Sequence, residues 1–408
     1  MDLKKQAVPY IIGNIVYLIA LWLLTVITTQ LLGYEDVGAL TLAMTIGNVV
    51  VNIQLYGVRG FQGSDMAFHY KSNEYVWTRV ITIIAGLVIG VLICFLTGYS
   101  VQLSYTIVLF LLIKTSETFS DVLFGNIQRV GRLDLAGYSM CIRGFLIVLF
   151  FLFGVFFFKK LNGALLIVAL SVIMLSLFID LPFHYKAIPE SDRASLTSLL
   201  GILKDCFPLF LTAVIPICII AFPRIILERF YGTVILGFYG NVSTPALLLI
   251  TLIPPILTTL LPAYGNSYVT KNHYNILRIW KNSVFVTIAL SIVCFLGTRL
   301  LAERLMVWLY TEKILPYVYY LYFIMIAMAL YALIMCNNTA LVSMRKNRVI
   351  LITSILGFVV CLLLSLPLVR NYGIDGAVAV LYFSFGSQLV VQIIWLLRIF
   401  SNTRKENA

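Results

Sequence analysis

Charge is scarce in this chain. Of its 408 residues, 11% are Asp, Glu, Lys or Arg, where an ordinary soluble domain carries about 25%. With 61% hydrophobic residues and a mean hydropathy of +1.00, that scarcity excludes a soluble globular domain and requires an integral membrane protein. Histidine is scarcer still, and His69, His184 and His273 fall in three separate polar segments, so they assemble neither a metal cluster nor a catalytic triad. Each is expected to be a solvated interfacial residue. The seven cysteines lie in or beside apolar runs without C-x-x-C spacing, which excludes a zinc or disulfide framework and leaves buried thiols. No G-x-x-x-x-G-K-[ST] loop occurs, so ATP-driven work within this chain is excluded and no cofactor is expected. Nor is there a catalytic residue to propose.

What is present is a series of apolar runs of the roughly 17–25 residues that cross a bilayer. About twelve recur: 8–30, 37–55, 80–96, 101–124, 135–158, 163–183, 207–227, 237–261, 284–302, 314–335, 349–369 and 376–399. The expected fold is an all-α polytopic membrane protein, with two six-helix bundles related by a pseudo-two-fold axis. The polar stretch 184–205 is expected as a cytoplasmic linker between a 1–183 bundle and a 206–408 bundle.

Orientation follows from the bias of Lys and Arg toward cytoplasmic segments. Nineteen of the 29 basic residues lie on the side of the termini and eight on the other, with Lys114 and Arg143 inside spans. Both termini are therefore expected in the cytoplasm, with the first span retained as an uncleaved anchor. The net charge of +12 then reflects topology and anionic headgroups, and nucleic acid is excluded as a partner. Trp77, Trp280, Trp308 and Trp395 fall near span ends, where amphipathic rings collect.

Ionisable groups inside hydrocarbon are expensive and mark functional sites by default. Lys114, Glu117 and Asp121 share one face of the fourth span by helical spacing. Folding the hairpin at 128–132 brings Arg143 of the fifth span level with Glu117. A charged transport pathway or a neutral structural network would both use such a group. A polar stripe of Thr41, Thr45, Asn48 and Asn52 on the second span, and of Tyr10, Asn14 and Tyr17 on the first, fits cavity lining or helix–helix hydrogen bonding. Prolines 208, 216, 223, 254 and 255 make the seventh and eighth spans the candidate hinges. A constant offset of 199 relates Gly33 and Gly38 to Gly232 and Gly237, as in a tandem repeat, and transporters built from such repeats bind substrate between the halves.

Four segments carry a resemblance: 32–38 (LGYEDVG), 59–65 with Tyr70, Glu74, Tyr75 and Arg79, the fourth and fifth spans with Gln128, Arg132 and Asp134, and 223–232 (PRIILERFYG). Together they resemble the bacterial polysaccharide flippases of the multidrug/oligosaccharidyl-lipid/polysaccharide exporter superfamily. The first span lacks the aspartate used by many cation-coupled drug exporters of that superfamily, and the spans number about twelve where the lipid II flippase branch has fourteen. The resemblance implies translocation of undecaprenyl-pyrophosphate-linked O-antigen or capsule repeat units across the bacterial cytoplasmic membrane by alternating access. It also implies a lipid-linked oligosaccharide and membrane lipids as partners, with polymerase and chain-length proteins of the same pathway as further candidates.

A pyrophosphate suits the planar guanidinium fork. Arg143, Arg224 and Lys114 are the candidate anion contacts, Arg59 guards the cytoplasmic mouth, and Asn14, Asn48 and Asn52 line the path. Glu117 and Asp121, one turn apart, are the candidate coupling groups for a proton or sodium gradient. The tyrosines 310, 317, 319, 320 and 322 near the outer face serve either sugar stacking or an interface belt. Two other functions stay open: a drug or small-molecule exporter of the same fold, and a membrane-embedded polysaccharide polymerase or ligase, which the short outer loops disfavour.

Overall fold

A computed structural model describes residues 3–65, 69–188, 194–270 and 273–406. The described residues hold helices and turns and no strand, as hydrocarbon demands: a spanning segment must satisfy every backbone N–H and C=O internally. The helices are α1 (Leu3–Leu31), α2 (Tyr34–Leu55), short α3 (Val58–Ser64), α4 (Ser72–Thr97), α5 (Val101–Arg129), α6 (Leu133–Phe158) and α7 (Leu161–Leu175). A π-helical turn, Ser176–Asp180, joins α7 to α8 (Leu181–Ala187). Then come α9 (Leu196–Val269), α10 (His273–Tyr310), a 3₁₀ turn Glu312–Tyr317, α11 (Tyr319–Ser343) and α12 (Asn347–Glu406).

Nine stretches among the described residues are long and apolar enough to cross a membrane. Two of them, in α9 and α12, are broken by glycines with non-helical backbone, Gly232 and Gly373, and so supply two crossings each. Helix α5 supplies a further one; its three internal charges lower its apolarity. Twelve crossings result, matching the expected spans with one shift. The tenth helix begins at Tyr319, because Pro316 sits in the 3₁₀ turn ahead of it and lacks the N–H that helical pairing needs. Within α9 the described backbone is non-helical at Gly232 alone, so the chain stays helical through Pro208, Pro216 and Pro223.

Gly33 (φ 100°, ψ −175°) and Gly232 (φ 80°, ψ 172°), the pair related by the 199-residue offset, share one backbone conformation. That region of φ/ψ space strains any residue with a Cβ, which favours glycine there.

The chain forms two compact units, Met1–Ile217 and Cys218–Ala408. In the first, α1 and α6 approach so closely that a Cβ on Gly13 would overlap the Gly137 carbonyl oxygen, and one on Gly137 would overlap the backbone of Pro9. Of the 184–205 segment, residues 189–193 lie outside the described residues, and the rest is not a free connector. Ile202 and Cys206 at the start of α9 pack with Val58, Tyr75, Val122 and Leu123 in one buried cluster, and the Tyr70 hydroxyl donates to Asp205 at 3.2 Å. In the second unit, buried Ile253, Leu257, Ala332 and Cys336 form one cluster, and Tyr264, Ile276, Leu341 and Leu396 belong to another. Large apolar side chains such as Phe95, Val101 and Leu300 stand outward, as expected of a surface meeting lipid. Trp77, Trp308 and Trp395 are exposed, whereas the indole of Trp280 donates to Asn337 at 2.9 Å inside the second unit.

Candidate functional site

The three charges on α5 part company. Helix α5 starts at Ser100, whose hydroxyl accepts from the Leu103 N–H, and its polar face lies against α1, α2 and α4. Nearest the middle, the Lys114 ammonium reaches both the Glu117 carboxylate and the Tyr17 hydroxyl of α1, the latter at 3.1 Å, while Tyr17 also donates to Glu117. Lys114 is buried and the Glu117 side chain is 23% exposed. This is a compact charge pair with an acid open on one side.

One turn along, Asp121 meets two arginines. Arg79 donates from Nη2 to Asp121 Oδ2 at 3.1 Å and from Nη1 to the Gln54 carbonyl at 2.6 Å. Arg59 lies 3.8 Å from Asp121 Oδ1 and donates to the Asp121 carbonyl at 2.9 Å and to Gln128 at 2.8 Å. Two guanidinium groups against one carboxylate leave the trio with an excess of one positive charge. Arg79 is fully buried, while Arg59 is 22% exposed and carries the accessible share of it. Asp121 is thus held in an ion-pair cluster, not in like-charge contact with Glu117.

Arg143 overturns its expected pairing. It sits at the expected depth, donating to Ser116 at 2.9 Å and Ser120 at 2.6 Å on α5. Its face, however, turns to the π-helical turn, where it pairs with Asp180 at 2.8 Å and donates to Ser176 at 2.9 Å. Asp180 also accepts from Ser120 at 2.6 Å and from Ser139. The π-turn brings both Ser176 and Asp180 onto this one guanidinium. With Arg143 1% and Asp180 0% exposed, the pair is enclosed within the bundle and both terminal nitrogens are engaged. Arg143 is therefore withdrawn as a substrate contact; its role here is to tie α5, α6 and the π-turn together.

The remaining candidates separate by exposure. Asn14 on α1 is half-buried and donates to the Tyr10 carbonyl at 2.8 Å; Asn52 donates to the Asn48 carbonyl at 2.8 Å, and Asn48 is exposed. Thr41 and Thr45 of the same stripe are buried, Thr45 donating to Thr41 at 2.7 Å. The stripe is therefore open only at its Asn48–Asn52 end. In the second unit, Arg224 is buried, donates to Ser243 at 2.8 Å and lies over the Tyr239 ring at 5.4 Å. It does not pair with Glu228, whose Oε2 is buried without a hydrogen-bond partner, as is the Arg224 Nε. Unlike Arg143, Arg224 has no carboxylate partner among the described residues, which keeps it a candidate anion contact.

Beyond the end of α3, Asp65 accepts the backbone N–H of His69 at 2.8 Å and of Tyr70 at 3.1 Å, the Tyr75 hydroxyl at 2.9 Å, and Arg129 at 3.3 Å. Burial pushes its carboxyl up, but these donors outweigh that and hold it below the usual carboxylate range. His184 is also tied in: it is buried and 3.0 Å from the Asn126 amide, which bonds to Gln62 and the Ser72 carbonyl. That corrects the expectation of a solvated histidine.

Tyr17, Arg79 and Asp180 carry the three clusters yet were not among the expected site residues. Asp180 had a usable signal, being an acid inside the sixth apolar run. Arg79 sits at the edge of its run and reads as a loop residue until α4 extends back to Ser72. Nothing local connects Tyr17 with Glu117, a hundred residues on.

No protein-family model matches the chain. The capsular polysaccharide biosynthesis protein CapF of Staphylococcus aureus is 23% identical over 304 residues, covering 74% of this chain and 76% of that protein. Among solved structures, the inward-facing conformation of a multidrug resistance MATE family transporter of the MOP superfamily matches with a TM-score of 0.76 at 15% identity, over 95% of this chain and 96% of that one. The lipid II flippase MurJ in an inward closed conformation gives 0.73 at 14% identity, over 97% and 89%. The MATE multidrug transporter DinF-BH gives 0.69 at 18%, over 97% and 95%. The chain is a multi-pass, all-α membrane protein that shares the fold of these solved structures, which are transporters and a flippase.

Proposed function

We propose that the chain is a flippase that carries undecaprenyl-pyrophosphate-linked oligosaccharide repeat units across the bacterial cytoplasmic membrane by alternating access, for surface polysaccharide biosynthesis. The observation that carries this reading is the Arg59–Arg79–Asp121 trio, where a cationic excess sits toward the end of α5, with Arg59 partly exposed and its fork on the Asp121 carbonyl and Gln128. An anionic headgroup needs such donors at the depth where it enters, and a planar fork binds phosphate oxygens two at a time. The polyprenyl tail stays in lipid while hydroxyls and amides accompany the sugars. The likeness to CapF and to the MurJ fold supports the same reading.

Both termini then lie in the cytoplasm, and Arg224 is the anion contact of the second unit. Lys114, Asn14, Asn48 and Asn52 accompany the headgroup. Glu117, open to one side and balanced by Lys114 and Tyr17, is the coupling acid for a proton or sodium gradient. Asp121 is the fixed counter-charge of the arginines. Polymerase and chain-length proteins act next to it. A drug exporter of the same fold is the second reading, favoured by the MATE likeness.

A strain lacking the protein should accumulate undecaprenyl-linked repeat units on the cytoplasmic side, with rescue by wild type. Arg59→Lys, which keeps charge and loses the fork, should rescue poorly at normal protein abundance. Unchanged surface glycan in the deletion strain would remove the flippase assignment; full rescue by Arg59→Ala would remove the arginine from it.

A further inference from the structure

All three connections at one end of the second unit are joined by aromatic side chains. The break in α9 meets the break in α12: a Cβ on Gly373 would lie 3.2 Å from the Tyr231 ring, and the Tyr231 hydroxyl donates to the Arg370 carbonyl at 3.1 Å. The connection between α10 and α11 joins the same end. Phe238, just after the α9 break, stacks on Tyr317 of the 3₁₀ turn at 4.2 Å between centroids, and the Tyr320 hydroxyl donates to Asp375 at 3.1 Å. Tyr319 packs at 4.1 Å from the Tyr320 ring. The 3₁₀ turn itself starts from Thr311 at φ 88°, a backbone region that a β-branched residue enters only under strain. The Lys and Arg bias assigns this end to the outside.

An interface belt of tyrosines has a different pattern: rings buried in the headgroup zone, each hydroxyl turned to water. Here the Tyr231 and Tyr320 hydroxyls are turned onto protein acceptors, Tyr317 is stacked on Phe238 and Tyr319 is packed on Tyr320, which fixes these four rings before any ligand arrives. Ring surface nevertheless stays open, with Tyr372 63% and Tyr319 45% exposed. An exposed carboxylate, Asp375, stands among the rings, and the Arg370 guanidinium lies over Phe230 at 5.6 Å. Lipid tails have no use for a carboxylate, and anionic headgroups are repelled by one.

A pyranose has the complementary surface. Its C–H face lies against an aromatic ring, and its rim of hydroxyls donates to a carboxylate and accepts from a guanidinium. Fixed rings reduce the ordering that binding demands.

We infer that this cluster is a saccharide-binding platform, with Tyr319 and Tyr372 as stacking surfaces and Asp375 and Arg370 as the polar contacts, which receives the glycan of the lipid-linked unit on the outer side. The inference rests on the flippase reading and adds to it a site that the anion contacts do not supply. It gives the sugar chain a foothold after crossing, before the headgroup is released.

Photo-crosslinking tests it in the full chain, in membranes of cells making their own surface glycan. Benzoylphenylalanine replaces Tyr319 or Tyr372, and for comparison Phe383, an exposed residue further along α12. Adducts are analysed by mass spectrometry for hexose-bearing polyprenyl lipid and for phospholipid. Capture of the sugar-bearing lipid at 319 and 372 should exceed that at 383 severalfold, and adding Asp375→Ala should lower it severalfold while phospholipid capture persists. The two positions are read separately, so one poorly accumulating variant leaves the other informative. Phospholipid alone at both positions, in a strain where wild type rescues repeat-unit export, overturns the platform and leaves the flippase reading standing. Absence of any export defect in the deletion strain removes the flippase reading by itself.

Discussion

At the scale of single residues, the first unit holds the ionisable groups of α5 and α6 in separate sets, and this decides which substitutions couple. Breaking a buried ion pair by removing one partner typically costs about 3–5 kcal/mol, because the remaining charge stays buried and uncompensated. Arg143→Gln and Asp180→Asn should each lower the melting temperature of the purified protein sharply, while the double variant regains most of the loss. Arg143→Gln combined with Glu117→Gln should instead be additive, since the two residues belong to different sets. A strong coupling between Arg143 and Glu117 would contradict the geometry. Acid should act late at Asp65. Its folded pKa lies below the unfolded value of about 3.9, so its stabilising contribution is complete above that value and is lost as pH falls through the folded one. Hydrogen exchange over residues 69–79 should therefore stay slow until strongly acid pH in wild type, and be fast already at neutral pH in Asp65→Asn. Equal protection in both proteins at neutral pH would show that Asp65 does not hold that corner. Sequence spacing made the depth of Arg143 legible, because helical rise fixes depth. It left the partner open, because the π-turn that rotates Asp180 into reach has no local signature in an apolar run.

At the scale of elements, glycine sets how closely the helices meet and where they break. The α1–α6 crossing depends on Gly13 and Gly137, where any side chain would overlap backbone that cannot move aside. Gly137→Leu should push α1 off α6, separate Tyr17 from Glu117 and reduce the folded fraction. Gly60→Ala, with nothing within 4 Å of the added carbon, should be close to neutral. Thermal unfolding in detergent compares them, and similar loss in both would mean the crossing is not special. Element existence was readable because apolar length and helix formation are coupled in hydrocarbon. The repeat was readable through Gly33 and Gly232, since a break in that extended, positive-φ conformation favours glycine. The start of the tenth helix was not, because residues 314–317 of the 3₁₀ turn, Pro316 among them, continue the apolar run of the helix they precede.

At the scale of the whole molecule, the chain makes twelve crossings in two units and shares its fold with MATE transporters and the flippase MurJ, and its first unit offers cationic donors beside a partly open acid. Span number and helical class were evident in the apolar runs, whereas substrate class depended on resemblance, because charge inside a bundle marks a pathway without naming its cargo. The central claim is translocation of a lipid with a glycan headgroup. Its most direct test is reconstitution of the purified chain into vesicles carrying undecaprenyl-pyrophosphate-linked repeat units, with impermeant periodate added outside. In vesicles without protein only the outer-leaflet sugars should be oxidised. With the protein, oxidation should proceed to include the inner-leaflet pool, and Arg59→Ala should slow it. Oxidation that stops at the same fraction with and without the protein, in vesicles shown to contain folded chain, would contradict the account.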